Sequence, residues 1–208
     1  MSRGRFIAYE GGEGAGKSTQ AQLLAEALRA RGINVLLTRE PGGTPGAEAI
    51  RQLLLHPPGE GWAPAAEALL FAAARSDHVE RAIRPALERG AWVVSDRFVD
   101  SSRAYQGGGG GLSDADVLAL HRIGSQGLLP DITFLLEVNS AYAVARAAGR
   151  DGGASDAIGG RDQAYHTAVA AAFARFAEAE PDRFVRIDGS GDAEATHWLV
   201  LEALDFAQ

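Results

Sequence analysis

Residues 11–18 restrict the fold more than any other part of the chain. Their sequence, Gly-Gly-Glu-Gly-Ala-Gly-Lys-Ser, matches the phosphate-loop pattern GxxxxGK[ST] in full. The loop follows a short apolar run at 6–9 and leads into an amphipathic segment at about 16–31. Such a loop needs a helix behind it, because backbone N–H groups at the helix N-terminus form the anion site. The chain is therefore predicted to begin with a strand, a phosphate loop and a helix.

Lys17 is the only lysine in a chain with nineteen arginines, so its place inside this loop is informative. A compact, mobile ammonium can follow a transferring phosphate better than a planar guanidinium can. Lys17 is therefore a predicted catalytic residue, and the Ser18 hydroxyl is a predicted magnesium ligand. The predicted phosphate-binding residues are Gly11, Gly12, Glu13, Gly14, Ala15, Gly16, Lys17, Ser18 and Thr19.

The composition bounds the size of the core and the class of partner. The 208 residues are 46% hydrophobic, which suffices for one domain with an inserted mobile segment. A formal charge of -7 argues against broad binding to nucleic acid or to an anionic membrane surface. The absence of cysteine excludes disulfides, thiolate nucleophiles and cysteine-ligated zinc. With no signal-peptide core and no apolar stretch of about 18 residues, a cytoplasmic location is expected.

Strand and helix patterns alternate along the chain. Strands are predicted at 6–9, 33–37, 91–95, 131–138 and 184–187, and helices at 16–31, 47–55, 65–79, 113–127, 141–148 and near the end. Polar and glycine-rich residues at 100–111 carry no predicted helix or strand. The alternation predicts an α/β fold of phosphate-loop NTPase type, with five mainly parallel strands and helices on both faces.

Charged residues follow the predicted strands where such sheets bind ligands, at the carboxyl ends of the strands. The phosphate loop, Arg39-Glu40 and Asp96-Arg97 all lie there. Asp96 is a predicted magnesium contact, and Arg97 is placed to clamp a transferring phosphoryl group. An ordinary ion pair at the end of the strand is the alternative for these two residues.

Glu13 is unusual because its carboxylate stands inside a loop that binds phosphate. It would repel a triphosphate unless it points toward a hydrogen-bond donor, and a sugar hydroxyl on a second substrate is a natural partner. The alternatives are a solvent-facing position and a contact with magnesium-bound water.

Phe71 and Arg75 stand four residues apart in the predicted helix 65–79, so they share one face. A flat apolar ring beside a fork of donors is suited to stack on a base and to hydrogen-bond its carbonyl. An aromatic residue at helical spacing is equally typical of a core. Tyr105 and Gln106 fit either a turn or a polar wall that reads a sugar.

The segment 149–160 interrupts the pattern with five glycines; Arg150 lies near its start and Arg161 follows its end. A long glycine-rich connection inside a compact domain is typical of a functional lid. We therefore predict a mobile lid at about 149–162, with an ordinary surface loop as the alternative.

With these residues in place, the chain resembles the bacterial thymidylate kinases. The motifs that carry the resemblance appear in the family's order within the first 140 residues. They are the loop 9–19, the segment Thr-Arg-Glu-Pro-Gly-Gly-Thr at 38–44, Phe-Ala-Ala-Ala-Arg at 71–75, Asp-Arg-Phe at 96–98 and Ser-Ser-Arg-Ala-Tyr-Gln-Gly at 101–107.

The resemblance implies a kinase that converts dTMP to dTDP with ATP and Mg²⁺. It implies that residues 11–18 bind the ATP phosphates and that Asp96 lies near magnesium. The substrate-binding residues that it implies are Glu13 at the sugar 3'-hydroxyl, Phe71 and Arg75 at thymine, Arg51 and Arg97 at the dTMP phosphate, Tyr105 against a ribose 2'-hydroxyl, Ser102 and Gln106 in the thymine pocket, and Glu40 in the 38–44 segment.

Two further implications concern the lid and the assembly. Family members with a glutamate in the phosphate loop use lid arginines, often in an Asp-Arg pair, whereas here Asp156 is followed by Ala157. Arg150 and Arg161 are the catalytic candidates that remain in the lid. The family is commonly homodimeric, and the apolar segments 65–74 and 118–123 would permit this.

Two rival functions use the same phosphate loop. The first is a kinase for another nucleoside monophosphate or for a nucleoside. The second is a regulatory GTPase, whose guanine-reading NKxD motif needs a second lysine. The single lysine of this chain argues against the GTPase.

Overall fold

The computed structural model describes residues 3–138 and 159–205. The strands are β1 (Phe6–Glu10), β2 (Val35–Arg39), β3 (Trp92–Asp96), β4 (Ile132–Glu137) and β5 (Phe184–Asp188). The helices are α1 (Lys17–Ala30), α2 (Pro45–Leu55), α3 (Pro64–His78), α4 (Arg84–Glu88), α5 (Val99–Ser102), α6 (Asp114–Ser125), α7 (Gln163–Ala179) and α8 (Ala193–Ala203). The predicted helix 141–148 and most of the predicted lid lie outside the described residues.

The five strands form one parallel sheet in the order β2-β3-β1-β4-β5. Every pairing among the described strands is parallel, so the α/β prediction is confirmed. All five residues of β1 are buried, as expected for a central strand covered by helices on both faces. Because β1 and β3 are neighbours with Tyr9 opposite Asp96, their carboxyl ends bring the phosphate loop beside Asp96 and Arg97.

Alternate residues of β1 face two different cores. Ile7 and Tyr9 pack into a cluster with Leu24 and Leu28 of α1. Phe6, with Ala8, belongs to a second cluster that includes residues of α4 and of the turn after β3. This division follows from the two-residue period of a strand, which points successive side chains to opposite faces.

The start of β2 differs from the predicted strand 33–37. Gly32 adopts a positive φ of 78°, and the Ile33 amide donates to the Leu28 carbonyl at 3.1 Å. Ile33 therefore completes the C-terminal cap of α1 and does not open the strand. Strand pairing begins two residues later, where Val35 lies opposite Trp92.

The polar and glycine-rich residues after β3 are helical, which the sequence did not predict. α5 continues into a π-helical segment, Arg103–Gly109, and Arg103 to Gly107 are buried. Its glycines allow close packing against α7: a Cβ on Gly108 would lie 2.6 Å from the Ala172 Cβ, and one on Gly109 would lie 2.5 Å from the Tyr165 ring. These glycines make room for a neighbouring helix and do not serve as loop hinges.

The chain also stays helical beyond the predicted end of the third helix near residue 79. A π-helical turn, Val79–Ile83, leads directly into α4. Val79 and Ile83 are buried against the sheet cluster that contains Phe6. The apolar residues Val79, Ile83, Ala86 and Leu87 recur at helical spacing, so this continuation has a sequence signal that the predicted boundary near 79 did not use.

A buried ionic network ties the 99–109 segment to the far edge of the sheet. Asp100 is 0% exposed and accepts hydrogen bonds from Arg183 at 2.6 and 2.9 Å and from Arg103 at 2.9 Å. Glu180 pairs with both guanidiniums. Burial alone would raise the pKa of Asp100, but the two arginines outweigh it and hold the pKa below its ordinary value.

Removing the Asp100 charge is expected to destabilise the fold strongly. Asp100→Asn leaves two arginines facing a neutral amide, and the expected loss in unfolding free energy is about 3–5 kcal/mol. Chemical denaturation measures this loss, with Glu137→Gln at the exposed Arg186 pair as control, which is expected to cost far less because solvent screens that pair. Because the folded-state pKa is lowered, the stabilisation is complete above about pH 4 and is lost as the pH falls further. Equal losses in the two variants would contradict the structural role of this network.

Candidate active site

The phosphate loop turns tightly between β1 and α1. Gly11, Gly14 and Gly16 have positive φ angles of 136°, 71° and 91°. A Cβ on Gly11 would also lie 2.5 Å from the Leu136 carbonyl oxygen, so only glycine fits there. The loop therefore delivers its backbone to the N-terminus of α1, where an anion is favoured.

Lys17 is folded back over this loop. Its side chain is largely buried, and Nζ donates to the Gly12 carbonyl at 2.6 Å. Burial, aided by the nearby Arg97 guanidinium, lowers the pKa of Lys17 to about 8. A bound phosphate would offer this ammonium the negative partner that favours its charged form.

Two side-chain oxygens that could hold a metal meet at the start of α1. The Ser18 hydroxyl donates to Asp96 Oδ2, whereas Asp96 Oδ1 is buried without a hydrogen-bond partner in the described structure. Residues 3–138 and 159–205 contain no group of three or more His, Asp or Glu side chains able to hold a metal by themselves. Mg²⁺ in kinases commonly uses one or two protein oxygens together with substrate phosphates. Ser18 and Asp96 fit such a shared site.

Arg97 is the centre of a cluster that faces the loop. It has a positive φ of 71°, and its Nη2 donates to Glu13 Oε1 at 2.5 Å and to the Tyr105 hydroxyl at 3.3 Å. Its Nη1 donates to the Ser101 hydroxyl at 3.1 Å. Burial disfavours the charged form, but Tyr105 and Glu13 outweigh it, so the pKa of Arg97 lies above its ordinary value. The guanidinium is a fixed positive charge beside the phosphate loop.

Arg75 is fixed on the opposite wall by buried partners. Its Nε donates to Glu40 Oε2 at 2.7 Å, and its Nη2 donates to the Ser102 hydroxyl at 2.9 Å. Glu40 Oε1 also lies 3.0 Å from His78 Nδ1, and His78 Nε2 lies 2.7 Å from the Thr38 hydroxyl. Burial would raise the pKa of Glu40, but Arg75 and His78 outweigh it and lower the pKa. This chain of contacts sets the orientation of the Arg75 fork.

One cavity of about 320 Å³ joins these two walls. It brings together most of the residues that sequence reasoning selected, within the size range of small-molecule sites. Arg51 lines it and donates to the Pro41 carbonyl at 2.8 Å. The predicted residues at the cavity surface are Glu13, Gly14, Gly16, Lys17, Ser18, Glu40, Arg51, Phe71, Arg75, Asp96, Arg97, Ser102, Tyr105 and Gln106.

Some predicted residues do not line this cavity. Arg161 pairs with Glu67, and its guanidinium lies 4.6 Å from the centre of the Tyr165 ring. Arg150 lies outside the described residues, as do Asp156 and Ala157. Gly11, Gly12, Ala15 and Thr19 belong to the loop and the first turn of α1 without forming the cavity surface.

Sequence reasoning missed Glu10, His78 and Glu67. Burial and the nearby Asp100 carboxylate raise the pKa of Glu10 to about 7, although its side chain accepts three hydrogen bonds from residues 98 and 101. For Glu67 a local signal existed, because it stands four residues before Phe71 and shares its helix face. Glu10 and His78 offered no local signal, since their partners lie far away in sequence.

The fold and the cavity define a class. A phosphate loop with its lysine faces a second wall that carries an aromatic ring and several fixed arginines, across a space large enough for a nucleotide. This arrangement is that of a phosphate-loop kinase acting on a small nucleotide.

Comparisons with known proteins identify the family. The thymidylate kinase family model matches residues 9–200. A thymidylate kinase of Rhizorhabdus wittichii is 55% identical over 201 residues, covering 97% of both chains. A thymidylate kinase of Caulobacter vibrioides is 47% identical over 195 residues, covering 94% of this chain and 93% of the relative. The crystal structure of thymidylate kinase from Ehrlichia chaffeensis superposes with a TM-score of 0.78 at 32% identity, covering 97% of this chain and 99% of that one.

The chain belongs to the thymidylate kinase family. It is an enzyme, a transferase that moves a phosphoryl group from ATP to dTMP and gives dTDP. The resemblance inferred from the sequence motifs is confirmed, and the GTPase alternative is excluded. No helix in the described part of the chain has the length and apolar character needed to span a bilayer.

The lowered pKa of Lys17 predicts a pH-dependent affinity for nucleotide. The ammonium is charged below about pH 8 and loses its proton above that value. The affinity for ATP is therefore expected to be level at lower pH and to fall by up to about tenfold per pH unit above it. Calorimetric titration with a nonhydrolysable ATP analogue on both sides of this pH measures the effect. Lys17→Met is the control and should bind weakly without this dependence; identical pH profiles for the two proteins would contradict the assignment.

Proposed function

We propose that the cavity binds dTMP between α3 and the 99–109 segment while the phosphate loop holds the ATP phosphates. The observation that carries this proposal is the continuity of one cavity from Lys17 to Phe71 and Arg75. With ATP at one end and dTMP at the other, the γ-phosphate of ATP and the phosphate of dTMP would meet beside Arg97. Such positioning supplies much of the catalysis in phosphoryl transfer.

The base end of the cavity combines an apolar face with hydrogen-bond donors. Phe71 offers a ring for stacking, and Arg75 is oriented by Glu40 and Ser102. A guanidinium held in this way presents donors to a carbonyl without the entropy cost of ordering a free side chain. We assign this end to thymine, with Gln106 of the 99–109 segment at the same end of the cavity.

The middle of the cavity suits the sugar. The Tyr105 hydroxyl stays protonated, because burial raises its pKa to about 12, and it forms a neutral wall. In our assignment Tyr105 occupies the space that a ribose 2'-hydroxyl would need, and Glu13 accepts a hydrogen bond from the 3'-hydroxyl. In this structure Glu13 accepts from Arg97 and from the Tyr105 hydroxyl at 3.3 Å, so Glu13 and Tyr105 are already held next to each other.

Transfer needs charge neutralisation more than it needs a base. The phosphate of dTMP is a monoester that is ionised near neutral pH, so its oxygen can attack without losing a proton. Arg51 and Arg97 would hold this phosphate, and Lys17 would follow the group that moves. These fixed positive charges stabilise the negative charge spread over the equatorial oxygens in the transition state.

Magnesium is part of the proposal because the donor set fits it. Ser18 and Asp96 would hold Mg²⁺, and Asp96 Oδ1 is the buried oxygen that lacks a partner among the described residues. When bound, the ion would neutralise charge on the β- and γ-phosphates. By holding the ion, Ser18 and Asp96 would keep the β- and γ-phosphates next to Lys17.

We also propose a lid and a homodimer. We assign residues 1–208 to one domain with a lid at about 149–162, in which Arg150 and Arg161 are the candidate catalytic arginines. Arg161 pairs with Glu67, so it would reach a phosphate only after leaving that partner.

We propose a homodimer because Leu69 of α3 and Ile123 of α6 are 56% and 79% exposed on two helices that pack together. A cytoplasmic location belongs to the same proposal.

The acceptor assignment is tested by turnover with different monophosphates. A coupled assay that measures ADP release from ATP is expected to show far higher kcat/KM with dTMP than with dCMP, AMP or thymidine.

Lys17→Ala is expected to lower kcat by about 10³ or more, because it removes charge stabilisation from the transition state. An unchanged unfolding temperature in that variant shows that the fold is intact. Near-normal turnover of Lys17→Ala would rule out its catalytic role.

The stacking role of Phe71 predicts a selective loss in dTMP binding. Phe71→Ala removes the ring from the base end of the cavity and is expected to raise the KM for dTMP by about tenfold or more. The KM for ATP should stay within about twofold, since the phosphate loop lies at the other end. Steady-state kinetics with each substrate varied in turn separates the two values. An equal rise in both would assign Phe71 to the core and not to the site.

A further inference from the structure

Helix α3 presents three residues toward the cavity wall at four-residue spacing: Glu67, Phe71 and Arg75. Phe71 and Arg75 line the cavity, whereas Glu67 lies one turn behind them. Glu67 is only 7% exposed, which is unusual for a carboxylate and requires polar partners. The partners that it has connect it to the base end of the site.

Both carboxylate oxygens of Glu67 are engaged. Oε1 accepts from Gln106 Nε2 at 2.9 Å, and Oε2 accepts from Arg161 Nη2. Arg161 also lies over the Tyr165 ring, whose hydroxyl donates to the Tyr105 carbonyl at 2.9 Å. The contacts form a chain in which Glu67 accepts hydrogen bonds from both neighbours, Arg161 on one side and Gln106 on the other.

This chain determines which end of the Gln106 amide faces the cavity. A carboxylate paired with a guanidinium accepts hydrogen bonds and donates none, so Gln106 must turn its NH₂ group toward Glu67. Gln106 is 2% exposed, and among the described contacts its side chain hydrogen-bonds through Nε2 alone. The carbonyl oxygen is then the group that Gln106 can offer to a base.

Thymine and cytosine differ in whether the ring edge that faces Gln106 donates or accepts a hydrogen bond. Thymine carries a donor at N3–H and an acceptor at O4, whereas cytosine carries an acceptor at N3 and a donor at its 4-amino group. A free glutamine amide can turn over and would serve either ring. With its carbonyl fixed toward the ring, Gln106 matches N3–H while Arg75 supplies the donor for O4.

We propose that Glu67 is a positioning residue for base selection: it fixes the Gln106 amide so that the carbonyl faces the ring N–H, and it thereby favours thymine over cytosine. This inference rests on the proposed function, because it assumes that Gln106 lines the base end of the dTMP site. Arg161 occupies the second carboxylate oxygen of Glu67, and the first oxygen accepts from Gln106 with or without that partner.

Glu67→Gln tests the polarity of this chain directly. The amide that this change introduces should turn its oxygen toward Arg161 and its NH₂ toward Gln106, and Gln106 then turns its own NH₂ toward the ring. The kcat/KM for dTMP is expected to fall about tenfold or more, mainly through KM, while the KM for ATP is unchanged. The ratio of kcat/KM for dTMP to that for dCMP is expected to fall at least about tenfold.

A reversed pair provides the rescue. In the double variant Glu67→Gln with Gln106→Glu, the amide at position 67 donates to a carboxylate at position 106, whose other oxygen can accept from the ring N–H. The double variant is therefore expected to regain most of the preference for dTMP over dCMP that Glu67→Gln loses. If it is no better than Glu67→Gln alone, Glu67 does not act through Gln106 and the inference is overturned.

Two matched variants separate the possible failures. Arg161→Gln leaves the Glu67–Gln106 contact in place, so the dTMP to dCMP ratio should stay within about twofold; a loss equal to that of Glu67→Gln would make Glu67 an anchor for Arg161 and overturn the inference. Gln106→Ala should lower the ratio. If it does not, Gln106 does not read the base, and that part of the proposed function fails with the inference. If Gln106→Ala lowers the ratio and Glu67→Gln does not, the inference alone fails.

Discussion

The carboxylate of Glu10 holds the two halves of the site together. It is the last residue of β1, it is 0% exposed, and it accepts from the Phe98 amide at 2.8 Å, the Ser101 amide at 3.0 Å and the Ser101 hydroxyl at 2.6 Å. These contacts satisfy the Phe98 amide and share the Ser101 amide with the Phe98 carbonyl, at the start of α5 where backbone donors lack a full set of helical partners. The phosphate loop follows Glu10 directly, and the 99–109 segment carries Tyr105 and Gln106, so one buried carboxylate fixes the distance between the two substrate regions.

The site is positive inside a chain of formal charge -7 because five basic and three acidic side chains line the cavity. Two of its arginines are held by acids of their own. Arg75 is paired with Glu40 at 2.7 Å and Arg97 with Glu13 at 2.5 Å. Each pair orients a guanidinium before a ligand arrives, and the carboxylate balances its charge in a buried setting. Steering by net charge would repel a nucleotide, so binding depends on these local fields.

The parts of the fold that could be predicted are those with a local signal. The phosphate loop, the charged residues that follow the strands at 39–40 and 96–97, and the shared face of Phe71 and Arg75 follow from spacing alone. The 99–109 segment could not be predicted, because its glycines look like a loop until Tyr165 and Ala172 of α7 pack against them. Glu67 had a local signal in its spacing from Phe71, but its role could not be predicted because its partners, Gln106 and Arg161, are 39 and 94 residues away.

The surroundings of Lys17 explain why this position carries a lysine and not an arginine, which the motif alone does not. The arginines on the cavity walls keep their charge at any physiological pH, so they form a constant field. Lys17, with its pKa lowered to about 8 by burial and Arg97, can change its charge within that range. Its bond to the Gly12 carbonyl is with a neutral partner, so a phosphate that replaces the carbonyl gains the full attraction of the ammonium. An arginine there would be equally charged with and without ligand, and it would respond less to the arrival of the phosphate that must move.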